Sequence, residues 1–195
     1  MKREREKLKP LQENSNQNYH SNNSKNSSQG NRNWLFIKTF LIVILGVFFD
    51  QYTKHLAVLH LKESEPLVIL DGVFELYYLE NRGAAFGILE GKQTFFILSV
   101  VIITVLILWF LKIVPLEKRF MPLSLIAAFI LAGAYGNCID RAVLGYVVDF
   151  FYFKLIDFPV FNVADIYVTV STFLMVFLLF FYYKEEELER IIHNK

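Results

Sequence analysis

The sequence predicts an all-α membrane protein: a bundle of four transmembrane helices carrying a small extracytoplasmic β element. Three observations predict it. The chain of 195 residues is 54% hydrophobic with 20 phenylalanines, and its mean hydropathy is +0.37, too apolar for an ordinary soluble domain. Four apolar runs each approach the ~20 residues needed to cross the hydrocarbon layer. Lysines and arginines gather in alternate connections, as they do in multi-span proteins.

The first element is a tail over residues 1–33. Met1–Glu13 mixes Lys, Arg and Glu, and Asn14–Asn33 is dominated by Asn, Ser and Gln. Such a segment cannot bury enough apolar surface to offset its ordering entropy, so a disordered cytoplasmic tail is expected. The run that follows lacks an A-x-A-like cleavage site, so Trp34 is expected to open a retained span. The four spans are expected near Trp34–Leu56, Thr94–Val114, Met121–Ile139 and Ile166–Tyr183. They form one unit over 34–184, followed by a charged cytoplasmic tail over 185–195. The third span holds Ala127, Ala128, Ala132, Gly133, Ala134 and Gly136; small residues let helices approach closely in lipid, which predicts a central position.

Between the first two spans, over 60–91, the pattern changes to that of strands. Pro66–Leu70 and Val73–Leu79 flank Asp71-Gly72, which reads as a hairpin. Phe74, Leu76 and Tyr78 alternate with Glu75 and Tyr77, which predicts one wet face that carries Glu75. The element is expected to rest on the outer membrane surface.

Orientation follows from the cations. Lys2, Arg3, Arg5, Lys7, Lys9, Lys25 and Arg32 precede the first span, Lys112, Lys118 and Arg119 lie between the second and third, and Lys184, Arg190 and Lys195 follow the fourth. Fewer lie in the other connections: Lys62, Arg82 and Lys92, then Arg141 and Lys154. Both termini are therefore expected to be cytoplasmic. That topology brings Asp50, Lys54, Asn137, Asp140, Arg141, Asp149 and Asp165 to the outer face. A fifth unusual acid, Asp157, lies in the connection before the last span. A carboxylate at the edge of hydrocarbon costs several kcal/mol unless paired, protonated or facing a polar cavity. Convergence of such groups points to a site.

The residues differ in what they can do. Asp50 and Lys54 stand four apart with the acid first, the favourable order for a same-face ion pair, and a structural role is expected for them. Asn137 and Asp140 share a helical face beside Arg141. Asp149 and Asp165 have no cation within four positions. If they met in a low-dielectric site they would share one proton, supplying an acid and a base near neutral pH. Spacing alone does not bring them together, and structural pairing stays open. The four histidines, His20, His55, His60 and His193, have no zinc-type spacing, and Cys138, alone in the chain, excludes an intramolecular disulfide. Net charge is only +1, which offers no argument for a nucleic-acid partner, and none is expected.

Five ordered blocks decide between these readings: Asp50-Gln51-Tyr52-Thr53-Lys54, Asn81-Arg82-Gly83-Ala84-Ala85-Phe86, Gly136-Asn137-Cys138-Ile139-Asp140-Arg141, Val147-Val148-Asp149-Phe150 and Phe161-Asn162-Val163-Ala164-Asp165. In order, spacing and four-span frame the set resembles the motif series of lipoprotein signal peptidase (signal peptidase II). The resemblance covers about Trp34–Tyr183. It implies a membrane-embedded aspartic endopeptidase of the bacterial cytoplasmic membrane. Such an enzyme would remove the signal peptide from diacylglyceryl-modified prolipoproteins, cutting before the lipidated cysteine. It implies Asp149 and Asp165 as the catalytic pair, and Asn162 as the residue that orients Asp165 or the scissile peptide. Asn137, Asp140 and Arg141 would brace the site, Asn81 and Gly83 would line it, and Asp50 and Lys54 would support it. It implies no metal, nucleotide or other cofactor, and a monomer in contact with membrane lipid. The rival readings are a small proton-coupled carrier, since intramembrane acids mark ion pathways, and a non-catalytic scaffold.

Overall fold

The computed structural model of the chain describes residues 2–83 and 92–193, with side chains over 31–83 and 92–191. Five helices and three strands follow in the order α1 (Lys2–Leu61), β1 (Leu67–Leu70), β2 (Phe74–Asn81), α2 (Gln93–Ile113), α3 (Met121–Val143), β3 (Val147–Tyr152), α4 (Val163–Phe177) and α5 (Glu185–His193). Residues 1–38 and 39–195 form two compact units, and the polar site described below lies in the second. Four helical segments are long and apolar enough to cross a membrane: Asn31–Leu61, Gln93–Ile113, Lys118–Val143 and Val163–Tyr182.

These bounds revise the sequence reading at the ends that matter. The first span continues to Leu61, and the third to Val143 rather than Ile139, so Asp140 and Arg141 stand on the helix. The fourth starts at Val163, which puts Asp165 in its first turn. The backbone of residues 2–33, where composition predicts an irregular chain, is helical. The side chains before Asn31, on which that expectation rests, lie outside the described residues. The last part of the 60–91 segment, residues 84–91, also lies outside them.

Local chemistry explains the helix boundaries. Pro122 sits in the first turn of α3, where its missing N–H costs no intrahelical bond. Asn162 caps α4: its side chain accepts from the Asp165 N–H, and the Asp165 carboxylate accepts from the Asn162 N–H. At its far end α4 passes into a π-helical turn, Leu178–Tyr182.

α3 is the buried helix, as its small residues predict. Ala127, Ala128, Ala132, Leu123, Ile126 and Leu131 are all buried. A Cβ on Gly133 would run into the Ala164 carbonyl of α4, and one on Gly136 would lie 2.5 Å from Asp50 Oδ2. Close approach of α3 to both α1 and α4 therefore depends on glycine at these two positions.

The β element is larger than the expected hairpin. The hairpin is present, with Gly72 at φ +69° and the Val73 N–H donating to Leu70 O at 3.0 Å. A third strand, β3, drawn from the connection between α3 and α4, pairs antiparallel with β2 to give the order β1-β2-β3. The short apolar run Val147–Tyr152 carried no turn signal of its own, so its strand character had to come from the partner β2. Glu75 is the second correction. It is buried, not on a wet face, because Lys154 folds over it with an Nζ–O distance of 2.7 Å. Ala57 and Leu61 of α1, Val148 and Phe150 of β3 and Val163 of α4 form one buried cluster, with Leu76 of β2 packed against it. The sheet is thereby seated on the end of α1 and the start of α4.

Candidate active site

The polar groups of the membrane end are built on α1, α3, α4 and the sheet. α1 contributes Asp50, Gln51 and Lys54. Asp50 and Lys54 form the expected i,i+4 pair at 2.8 Å, and Lys54 Nζ also meets Asp140 Oδ2 at 2.9 Å. Both members of each pair are 3% exposed or less. The same ammonium donates to Asn137 Oδ1 at 2.8 Å. Three partners on two helices satisfy its three donors, which is what allows a lysine to be buried here.

Each of these acids also holds a backbone N–H, Asp50 with its other oxygen and Asp140 with the same one that meets Lys54. Asp50 Oδ1 accepts from the Ala164 N–H at 2.9 Å, in the first turn of α4. Asp140 Oδ2 accepts from the Val148 N–H at 3.2 Å, immediately before Asp149. Gln51 donates to Asp140 Oδ1 at 2.8 Å and to the Gly136 carbonyl at 3.1 Å. Asp50 and Asp140 are therefore positioning groups: one fixes α4, the other β3.

Asp149 and Asp165 occupy the positions so fixed. Asp149 is 1% exposed on β3. Its Oδ2 accepts from Asn81 Nδ2 at 2.8 Å and its Oδ1 from Asn162 Nδ2 at 2.6 Å. Leu79 pairs with Asp149 in the β2–β3 register, so Asn81 is the diagonal neighbour on the same face. Asp165 is half-buried. Its Oδ1 accepts from Asn137 Nδ2 at 2.8 Å and its Oδ2 from the Asn162 N–H at 3.1 Å. Asn162 is thus bonded to both carboxylates, through its amide to one and its backbone to the other. Its Nδ2 also reaches Asn137 Oδ1 at 3.0 Å, which closes the network from Lys54 to Asp149.

Arg141 and Gly83 complete the rim. Arg141 Nη2 donates to the Gly83 carbonyl at 3.0 Å, and its guanidinium lies 4.1 Å over the Phe96 ring. Asn81 Oδ1 accepts from the Gly83 N–H at 3.0 Å, so the same asparagine grips both Asp149 and the chain at Gly83. Every sequence-predicted site residue therefore enters one connected cluster. Asp157 does not: it lies in a surface turn, where it accepts from Tyr152 Oη at 2.8 Å. Gln51 was missed as an individual residue, although it stands between Asp50 and Lys54 in the first block.

Electrostatics separate the roles. Four carboxyl groups (Asp50, Asp140, Asp149 and Asp165) surround the cations Lys54 and Arg141. Burial, followed by the neighbouring Asp165 carboxylate, pushes the Asp149 carboxyl up to about 7. The arrangement can supply a proton and accept one at near-neutral pH.

Comparison with known proteins agrees with this site. A family model described as Signal peptidase (SPase) II matches residues 42–181. The chain belongs to the signal peptidase II family. It is 40% identical over 142 residues to the lipoprotein signal peptidase of Clostridium tetani, covering 71% of this chain and 90% of that protein. To the Clostridioides difficile lipoprotein signal peptidase it is 43% identical over 142 residues, 72% of this chain and 94% of the other. A solved bacterial membrane enzyme, determined by the in meso method at 2.3 Å, superposes with a TM-score of 0.65 and 31% identity. That match covers 81% of this chain and 92% of the other. The chain is accordingly a multi-pass membrane protein of a peptidase family, as the motif series implied. The carrier alternative gains no support from any of these matches.

Proposed function

We propose that this member of the signal peptidase II family is an aspartic endopeptidase that removes the signal peptide from diacylglyceryl-modified prolipoproteins, with Asp149 and Asp165 as its catalytic pair. The observation that carries the reading is Asn162, hydrogen-bonded to Asp149 Oδ1 at 2.6 Å and, through its N–H, to Asp165 Oδ2 at 3.1 Å. One residue at a helix cap thereby sets the mutual geometry of two carboxyls.

In the proposed reaction the ionised carboxylate takes a proton from water as the oxygen attacks the scissile carbonyl carbon. The protonated carboxyl donates to the carbonyl oxygen, giving a tetrahedral gem-diol. Collapse breaks the C–N bond, one carboxyl delivering a proton to the leaving amine and the other recovering one from the gem-diol. The net change is hydrolysis of one peptide bond before the lipidated cysteine. Asp149, raised by burial, suits the protonated role; Asp165, half-exposed, suits the partner that faces water. Asn81 and Asn137 hold the outer carboxylate oxygens, and Arg141 with Gly83 borders the place where a substrate backbone would lie. The enzyme acts as a monomer in the bacterial cytoplasmic membrane, with both termini in the cytoplasm and the site toward the outer face, as the cation distribution supports.

The test is cleavage of a purified diacylglyceryl-modified prolipoprotein in detergent by wild type, Asp149→Asn and Asp165→Asn. Each change is nearly isosteric. Both variants are expected to melt with the wild type and to lose cleavage by at least about 10²-fold, the scale of a lost general acid or base. Near-normal cleavage by either folded variant removes that residue from the mechanism.

A further inference from the structure

The chain leaves apolar side chains uncovered on the sheet as well as on its spans. All four residues of β1, Leu67–Leu70, are exposed, which means both faces of the strand. Next to it, the turn over 153–158 holds Leu155 and Ile156 each 68% exposed. The turn reaches the hairpin that carries β1, since the Leu155 N–H donates to the Val73 carbonyl at 3.4 Å.

The charged groups of the turn, Lys154 and Asp157, are exposed but each is tied to a neighbour. Lys154 lies on Glu75 at 2.7 Å and Tyr152 Oη on Asp157 at 2.8 Å. The Asp157 N–H donates to Lys154 O and the Phe158 N–H to Phe153 O, at 3.1 and 3.2 Å. The turn is closed on itself and presents hydrocarbon at its apex. In water such a surface is a liability.

Two constraints set the height of this surface. The sheet packs on Ala57 and Leu61, the last residues of the span Asn31–Leu61. From Phe158 the chain returns to the first residue of the fourth span, Val163, through only residues 159–162. The turn is tethered between the start of the fourth span, which meets Asp50, and the last turns of the first span, about 16 Å further along α1 at ~1.5 Å per residue. It so lies at the end of the bundle where both spans stop.

We infer that the turn 153–158 and β1 dip into the lipid leaflet at the site end of the bundle, with Leu155 and Ile156 among the acyl chains. The contact reaches the site through aromatic rings. Phe153 and Phe158 pack on Phe161 at 5.8 and 5.7 Å, and Phe161 is hydrogen-bonded to Phe151 of β3 and precedes Asn162. Lipid engagement therefore steadies the segment that carries Asn162, at the depth where a lipid-anchored substrate presents its cut site. The inference rests on the membrane-spanning architecture and, for its last step only, on the proposed catalytic role.

The test places Trp at the apex, Ile156→Trp and separately Leu155→Trp, in full-length protein whose Trp34 and Trp109 are replaced by Phe. The protein is reconstituted in phosphatidylcholine vesicles, with or without bromine at carbons 6 and 7 of one acyl chain. The expected result is blue-shifted emission, more than halved by the brominated lipid and untouched by aqueous iodide. Emission quenched by iodide and not by bromine overturns the inference. So does emission shielded from both, which would mean a protein partner. In the same vesicles, Leu155→Asp with Ile156→Asp is expected to cut an embedded prolipoprotein several-fold more slowly, with an unchanged melt in detergent; an unchanged rate breaks the link to Asn162. Because the quenching does not depend on cleavage, loss of the catalytic reading and loss of the lipid contact are distinguishable.

Discussion

At the scale of single residues, Asp149 is the member of the proposed pair whose surroundings push it into the neutral range. Asp149 is raised to about 7 because it is buried and because Asp165 stands near it, against the opposing hydrogen bonds of Asn81 and Asn162. A raised acid keeps its proton below that value and loses it above. Catalysis that needs one protonated and one ionised carboxyl is therefore present on the acid side of about 7 and lost as pH rises through it. With substrate well below KM, where the rate reports the free enzyme, cleavage is expected to fall about tenfold per pH unit well above the limb, as for loss of a single essential proton. The limb belongs to the pair, not to one oxygen. A rate that stays flat from pH 6 to 9 would contradict the assignment. Residue chemistry was legible to an uneven degree. The acids could be named from the sequence because charge in an apolar setting is conspicuous. Gln51 and the backbone donors of Ala164 and Val148 could not be weighed, because a neutral amide and a main-chain N–H leave no such mark until the helices are brought together.

Elements were legible where periodicity and length were strong, and less so where a partner had to complete them. The four spans and the β1–β2 hairpin follow from apolar runs and the Asp71-Gly72 turn. β3 does not, and neither does the burial of Glu75, because both depend on what crosses over from another part of the chain. Small residues on α3 were the most reliable packing signal, and Gly136 carries it into the site. A Cβ there would lie 2.5 Å from Asp50 Oδ2 and 3.2 Å from Ala164 Cβ. Asp50 has nowhere to go, since Lys54 and the Ala164 N–H hold it from two sides. Gly136→Ala is expected to destabilise the fold by about 1–3 kcal/mol, the usual cost of overpacking. It should also lower the cleavage rate, because α4 and Asp165 ride on that contact. Thermal melts and single-turnover cleavage measure the two effects; a variant with wild-type values for both would show that α3 and α1 have slack the geometry denies.

Across the whole molecule, the two ends of the bundle do different work. Opposite the site, Arg119 clasps the loop before α3 to the end of the chain. Its guanidinium donates to Glu187 at 2.8 and 3.1 Å and to the Tyr182 carbonyl at 2.7 Å, while Tyr183 Oη donates back to Arg119 O at 2.8 Å. The Tyr183 ring stacks on buried Phe120, and Arg190 pairs with Glu117. Within the segment 185–195, Glu185–His193 form α5, docked on the loop through these pairs and through buried Ile191. The Arg119 hydrogen bonds, followed by the Lys184 N–H, hold the Glu187 carboxyl down at about 2. A lowered acid contributes stability that is present above its ordinary value and is lost as pH falls through the folded one. Arg119→Gln is therefore expected to melt below the wild type at neutral pH, with the gap narrowing as pH falls from about 4.5, the ordinary glutamate value, toward about 2. Glu187→Gln should show the same neutral deficit and the same narrowing, because the titration that closes the gap is the wild type's. From Arg119 to Asn137 the chain climbs about 27 Å at ~1.5 Å per helical residue, so neither variant should shift the alkaline limb of cleavage. Melting followed against pH, beside a pH–rate profile, separates the two ends. A moved limb in Arg119→Gln would mean that the clasp and the carboxyl pair are coupled along α3.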